Sequence, residues 1–402
     1  MREFQDKNLG ILQKVAMGTD YYSQILKEKG LRNFNRENIT ELGYLSKEIL
    51  KRYPERLHNP LIRHYNIYKT SGSSGDPIKL RVSLNAEAYR TAGRKRFYEW
   101  WAIHSLDRSV LIWGRSISRT GKSSMLRKFK ILFHKVTDRV FSVNVFDLST
   151  EDFPVLLKKI RRFNPRYFRG YTSGIEQFAD LSIEYKTNLK DLKLKGVIVT
   201  SEILSEDQRI KIGSVFGCPV INEYGANDGG LIAFECPSGG MHIFEEALLL
   251  NTKSNGEVLL TDLHNHATPL INYELGDRLK LREDSCKCGR RLKIIDIIEG
   301  RTGDDIIKSN GQKLNNAFFD YIIRDLDNAG FHDCIKKHKV VQKGKTFDFY
   351  FVKGKLFSSE VINHIKSLMF SEIGEDIEIN FNEVSEIKRE ESGKLRDFVR
   401  EY

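Results

Sequence analysis

The segment Thr70-Ser-Gly-Ser-Ser-Gly-Asp-Pro77 is made almost wholly of glycine and hydroxyl residues. Such a loop turns tightly and can aim backbone N–H groups and hydroxyls at phosphate oxygens, with Lys79 as a counter-charge. A hairpin turn between two short strands within Ile67–Ser83 accounts for the composition equally well. A second phosphate-like string, Thr120-Gly-Lys-Ser123, ends like a P-loop, but the glycine required five residues before Gly121-Lys122 falls on Ser116 and Gly114 is out of register. That stretch reads as a basic surface loop. A third cluster has metal-ligand character. Cys286-Lys-Cys288 puts two thiolates on one turn, and Cys236 and His242 flank another, so the four together could close a tetrahedral Zn²⁺ site. With four protein ligands and no open position the metal would be structural. A redox pair or four unrelated residues are the competing accounts. His264 and His266 read as a polar turn, and Cys218 and Cys334 as core or surface thiols.

The elements that position these residues sit in a chain of 402 residues, 40% hydrophobic, long enough for one large domain and a smaller one. No apolar stretch approaches a membrane span, and the first residues lack the apolar core of a signal peptide, so a cytoplasmic location is expected. Five cysteines are too sparse for a secreted disulfide framework. The formal charge of +11 favours anionic partners, yet the basic residues are dispersed rather than gathered into a nucleic-acid face.

Residues 1 to about 60 read as helices, with Asn38 as a cap because Glu41 follows three residues later. From Ile67 to about Val199, apolar runs such as Val110–Trp113 and Val197–Val199 alternate with helical patterns such as Phe153–Ile160. This predicts an α/β domain with partly parallel sheet. Residues 223 to 299 shorten into a β-rich subdomain. Beyond them, a helix around Phe318–Ile322, a strand Phe347–Phe351, a helix carrying Val361, Ile365 and Met369 and ending at Gly374, and a strand Ile377–Phe381 predict a compact α+β module of split βαβ type. The expected organisation is a large domain over 1–300, a hinge at 301–304 and a small mobile domain over 305–402.

Five strings occur in order along this chain: the loop at 70–79, Asn222-Glu-Tyr-Gly-Ala-Asn-Asp228, Tyr273-Glu-Leu-Gly-Asp277, Gly300-Arg-Thr-Gly-Asp-Asp305 and Glu391-Ser-Gly-Lys-Leu-Arg396. Together they resemble the core motifs of the adenylate-forming acyl/aryl ligase superfamily. Thr200-Ser-Glu-Ile-Leu204, Gly170-Tyr-Thr-Ser173 and Cys286-Lys-Cys-Gly289 resemble its phenylacetate-CoA ligase branch, which includes capsular-polysaccharide-biosynthesis ligases.

The resemblance implies ATP-dependent adenylation of a carboxylic acid, pyrophosphate release, and transfer to coenzyme A, a carrier thiol or an amine, with Mg²⁺ as a further cofactor. It implies that Thr70, Ser71, Gly72, Ser73, Ser74, Gly75 and Lys79 hold the β and γ phosphates. Ser201, Glu202, Asn222, Glu223, Tyr224 and Gly225 would line the nucleotide and acid site, with Tyr224 beside the adenine. Asp277 would accept hydrogen bonds from both ribose hydroxyls, Arg301 would lie near ribose and phosphate, and Lys394 would bridge carboxylate and α-phosphate. The family's Mg²⁺-binding glutamate corresponds to Asp228, a shorter ligand, with Glu223 or Glu235 as substitutes. Either Asp304 or Asp305 would be the hinge. The acid pocket is expected near Trp113, Tyr171, Ser201 and Tyr224, and the protein would be a monomer or homodimer without nucleic-acid partners. The alternatives are a zinc-stapled basic module that binds nucleic acid and a P-loop ATPase or kinase built on Lys122.

Overall fold

The computed structural model describes residues 1–69, 78–114, 139–148, 150–301, 305–314, 316–390 and 393–401. The chain divides into two compact units, one of Met1–Leu275 with Lys280–Ile297, the other of Gly276–Leu279 with Ile298–Tyr402. No helix among the described residues is long and apolar enough to cross a membrane.

The first unit opens with helices α1 (Arg2–Met17), α2 (Asp20–Glu28), α3 (Lys47–Arg52) and α4 (Pro54–Leu57). The cap expected at Asn38 does not form a helix of any length: Ile39–Leu42 is a single 3-10 turn, and the Asn38 carboxamide instead accepts the Asn35 N–H at 2.7 Å. Strands β1 (Tyr65–Lys69) and β2 (Lys79–Ser83) pair antiparallel, with Lys69 opposite Lys79. Ser83 then caps α5 (Leu84–Glu99), accepting the Ala86 N–H at 3.3 Å.

Strands β3 (Ser109–Trp113), β4 (Val140–Asn144), β5 (Tyr167–Tyr171), β6 (Gly196–Thr200) and β7 (Val220–Ala226) run parallel in the spatial order β7-β6-β5-β3-β4. Their crossovers include α6 (Phe153–Phe163), α7 (Thr172–Glu184) and α8 (Glu206–Phe216). Sequence signals fix the helix ends. Asn164 adopts a left-handed C-cap after α6, and α8 starts with a Ser205/Gln208 capping box and stops at left-handed Gly217. One face of the sheet buries Val110, Ile112, Phe168, Val197 and Val199 against Phe153, Phe178, Ile212 and Phe216 of these helices. The other buries Ile198, Ile221 and Phe234 against Phe97 and Tyr98 of α5. The near-continuous apolar run of β6 is what a strand covered on both faces requires.

Antiparallel strands β8 (Gly230–Glu235), β9 (Met241–Ile243), β10 (Leu248–Thr252), β11 (Glu257–Asp262), β12 (Tyr273–Arg282) and β13 (Ile294–Arg301) extend the same sheet beyond β7 in the order β8-β9-β13-β12-β11-β10. In the second unit, β14 (Ile306–Ile307) and β15 (Lys313–Leu314) form a small pair of their own. Helices α9 (Ala317–Asn328) and α10 (Ser359–Ile373) pack on a sheet ordered β18-β17-β16-β19, from β16 (Ile335–Lys343), β17 (Thr346–Lys353), β18 (Glu378–Glu383) and β19 (Phe398–Glu401). The split βαβ expectation differs in one strand. β19, not the strand preceding α9, lies parallel beside β16, with buried Phe398 opposite Val340.

Candidate active site and metal cluster

The carboxyl ends of the parallel strands bring several expected residues to one edge of the sheet. β3 ends at Trp113, β5 at Tyr171, β6 at Thr200 followed by Ser201, and β7 carries Asn222, Glu223, Tyr224 and Gly225. The order of the strands reverses between β3 and β5, since the chain passes from β3 outward to β4 and returns on the other side to β5. Ligands of open α/β sheets bind in the crevice at such a reversal. The Trp113 and Tyr171 rings stand there, stacked with centroids 4.2 Å apart.

Local geometry shapes each residue. Ser201 holds φ of 71°, a sparsely populated conformation for a residue with a Cβ. Glu202 caps α7: its two carboxylate oxygens accept the Ser173 N–H at 2.7 Å and the Ser173 hydroxyl at 3.0 Å. The β7–β8 register shifts between Tyr224 and Gly225. A Cβ on Gly225 would lie 2.6 Å from the Gly230 carbonyl oxygen, so the close approach of the two strands there needs glycine.

The acidic residues are already engaged. Glu223, 4% exposed, accepts Arg169 Nη2 at 2.5 Å and the Tyr98 hydroxyl at 3.4 Å. Burial pushes its carboxyl up, and the Arg169 and Arg94 guanidiniums outweigh that, holding it below the ordinary glutamate range. Glu235 accepts the Asn222 N–H at 2.8 Å and both terminal nitrogens of Arg209 at 3.2 Å, yet burial prevails and pushes its carboxyl up. Asp228, 5% exposed, accepts the Tyr273 hydroxyl at 2.6 Å, while Arg90 bonds its backbone carbonyl at 3.3 Å. Each of the three carboxylates thus accepts hydrogen bonds from protein donors.

The loop residues Thr70, Ser71, Gly72, Ser73, Ser74 and Gly75 lie outside the described residues, as do Lys122 and Asp304. Lys79 is exposed at the start of β2. Asp277 lies in β12, among the residues of the second unit, and Arg301 ends β13. Asp305, 2% exposed, takes a bidentate bond from Arg278 at 2.9 and 2.6 Å, and Arg400 bonds its carbonyl. Lys394 sits in a turn closed by Glu390 N–H to Lys394 O at 3.0 Å, shortly before β19.

The four metal-ligand residues do converge. The ligand atoms of Cys236, His242, Cys286 and Cys288 all lie within 4.8 Å of one another. Cys236 Sγ is 3.6 Å from Cys286 Sγ, and His242 Nε2 is 3.2 Å from Cys288 Sγ. The first of these falls within the edges, roughly 3.5–3.8 Å, of a tetrahedron with zinc–sulfur and zinc–nitrogen bond lengths, and the second is shorter. His242 Nδ1 lies 3.3 Å from the Leu292 carbonyl, which as its acceptor would fix the ring with Nε2 toward the thiols. A Cβ on Gly240 would come within 2.7 Å of Cys286 Sγ and 3.5 Å of Cys236 Sγ, so glycine leaves the donor set its space. Burial pushes the Cys236 thiol up to about 11; at Cys288 hydrogen bonds from Arg290 outweigh burial and hold the thiol down to about 6.

Sequence reasoning missed the partners that hold these groups: Arg169, Arg94, Arg209 and Tyr273. Only the presence of a charged Arg169 between apolar neighbours in β5 signalled any of them.

No protein-family model matches the chain. Protein CapK of Staphylococcus aureus is 22% identical over 397 residues, covering 95% of this chain and 85% of CapK. A phenylacetate-coenzyme A ligase of Thermus thermophilus is 26% identical over 163 residues, 37% of each chain. Among solved structures, 2-hydroxyisobutyryl-CoA ligase in the postadenylation state, in complex with R3-HIB-AMP, matches with a TM-score of 0.72 at 15% identity, over 98% of this chain and 89% of that one. The chain therefore has the fold of 2-hydroxyisobutyryl-CoA ligase and is similar in sequence to CapK along nearly its whole length.

Proposed function

We propose that this chain is an AMP-forming acid ligase. A carboxylate oxygen of the acid attacks the α-phosphorus of ATP, the bond to the bridging oxygen breaks, and pyrophosphate leaves. A thiol or amine then attacks the acyl carbon, gives up its proton, and releases AMP. The observation that carries this reading is the convergence of Trp113, Tyr171, Ser201 and Tyr224 at the carboxyl ends of the parallel strands, where β3 and β5 reverse the strand order.

In this reading Thr70, Ser71, Gly72, Ser73, Ser74, Gly75 and Lys79 hold the pyrophosphate portion, Tyr224 lies beside the adenine, and Asp277 and Arg301 hold the ribose and phosphate. Lys394, a mobile point charge, meets the negative charge that builds up as the carboxylate attacks. The residues of 301–304 and Asp305 form the hinge of a mobile second unit. Mg²⁺ enters on the ATP phosphates, since Asp228, Glu223 and Glu235 are committed to Tyr273, Arg169 and Arg209. Zinc on Cys236, His242, Cys286 and Cys288 is structural: all four positions are protein ligands, so none is open to a substrate. Coenzyme A is the favoured thiol, given the two CoA ligases among the similar proteins, and the motifs resembling the phenylacetate-CoA ligase branch, with its capsular-polysaccharide ligases, favour an acid of surface-polysaccharide biosynthesis in the cytoplasm.

The test is acid-dependent exchange of labelled pyrophosphate into ATP over a broad acid panel, with product analysis with and without coenzyme A. Exchange with at least one acid is expected; none with any acid would overturn the reading.

A further inference from the structure

The edge of the sheet that carries Trp113 and Tyr171 also holds a charge cluster that adenylation itself does not require. On the face toward α5, Arg169 from β5 donates to the buried Glu223 carboxylate, and its guanidinium lies 5.5 Å from the centre of the Trp113 ring. Arg94, from α5, approaches the same carboxylate only to 3.9 Å, too far for a hydrogen bond. Two guanidiniums therefore face one ionised carboxylate. Of the two, Glu223 hydrogen-bonds only Arg169, so the donors of the second arginine are left for another acceptor. The donors are also incomplete: Nε of Arg169 and Nε of Arg94 are both buried without a hydrogen-bond partner among the described residues. The Arg94 side chain is 41% exposed, so the cluster opens to solvent on that side.

An aromatic wall and unspent guanidinium donors at the strand-order reversal have one chemical complement. We propose that Arg94 and Arg169 make this crevice select an acid bearing a second carboxylate, whose oxygens take the free donors while its skeleton lies against Trp113 and Tyr171. The inference rests on the adenylation reading and narrows its substrate class. Guanidinium forks match carboxylate geometry, and a donor set left unpaired by a monoacid penalises that acid.

Pyrophosphate exchange by the full chain is measured on acids that differ only in the second carboxylate: hexanoate against adipate, butyrate against succinate, benzoate against isophthalate. In at least one pair the diacid is expected to exceed its monoacid in kcat/KM by about tenfold or more. Arg94→Gln, on a partly exposed side chain, is expected to collapse that ratio by about tenfold or more. Arg169→Gln alone would strand Glu223, so the double variant Arg169→Gln with Glu223→Gln is used, and the same collapse is expected. Preference for the monoacid in every pair, or an unchanged ratio in Arg94→Gln, overturns the proposal while leaving adenylation standing. Absence of exchange with every acid overturns both.

Discussion

At the residue scale, the candidate edge of the sheet is built from charged groups that meet inside the protein. Glu223 is the clearest. Its carboxyl is held below the ordinary value of 4.5 because two guanidiniums outweigh the cost of burial. A depressed carboxyl stabilises the fold above its unfolded value, and that stability is lost as pH falls through the lower folded value. Thermal melts should therefore show wild type more stable than Glu223→Gln at neutral pH, with the gap closing as pH drops below 4.5. A gap that widens in acid would contradict the ion pair. Asp228 makes a second case. Tyr273→Phe removes the hydroxyl that bonds its buried carboxylate and should cost about 1.5–3 kcal/mol in urea unfolding. Its Mg²⁺ dependence of exchange should stay at the wild-type value on the proposal that Mg²⁺ enters on the ATP phosphates; a changed dependence would place Asp228 at the metal. These roles were not legible from the motif Asn222–Asp228. A carboxylate as metal ligand and a carboxylate as buried acceptor are the same letter in a sequence, and only its neighbours separate them.

At the element scale, the spacing of the Cys/His residues carried real information, since the two turns that hold them are adjacent at the end of β8 and before β13. One zinc per chain is expected by elemental analysis of the purified protein, with Cys288→Ser lowering both zinc content and melting temperature. Gly240→Ala should release zinc more readily to a chelator, because its Cβ would press on Cys286 Sγ. Retention of zinc by both variants would show that the donor set is not the site. Elsewhere the elements diverged from local pattern. Asn38 with Glu41 carries a capping signature, yet no amphipathic run follows to make a helix worth capping, and a 3-10 turn results. In the second unit β19 takes the sheet position beside β16 because Phe398 enters the core, while the two-residue β14 is too short to add a ladder.

At the scale of the whole molecule, two predictions concern the second unit. Lys394→Ala should lower pyrophosphate exchange by about 10²-fold or more while ATP binding, read by calorimetry, stays close to wild type. Full exchange activity would remove Lys394 from the chemistry. Arg278→Met leaves the buried Asp305 carboxylate without its bidentate partner and should cost about 3–5 kcal/mol of stability, read by denaturant unfolding. The sequence alone determined the alternation of parallel strands and helices, the β-rich continuation and the α+β module, because periodicity, caps and turn residues are local properties of the chain. It also carried the ordered motifs on which the family resemblance rests. Only the tertiary structure decided which charges meet: Arg169, Arg94 and Glu223 lie on different elements, up to 129 positions apart between Arg94 and Glu223, and the folded sheet brings them together. A side chain's chemistry is set by what desolvates and neutralises it, and those partners are long-range contacts that no local pattern contains.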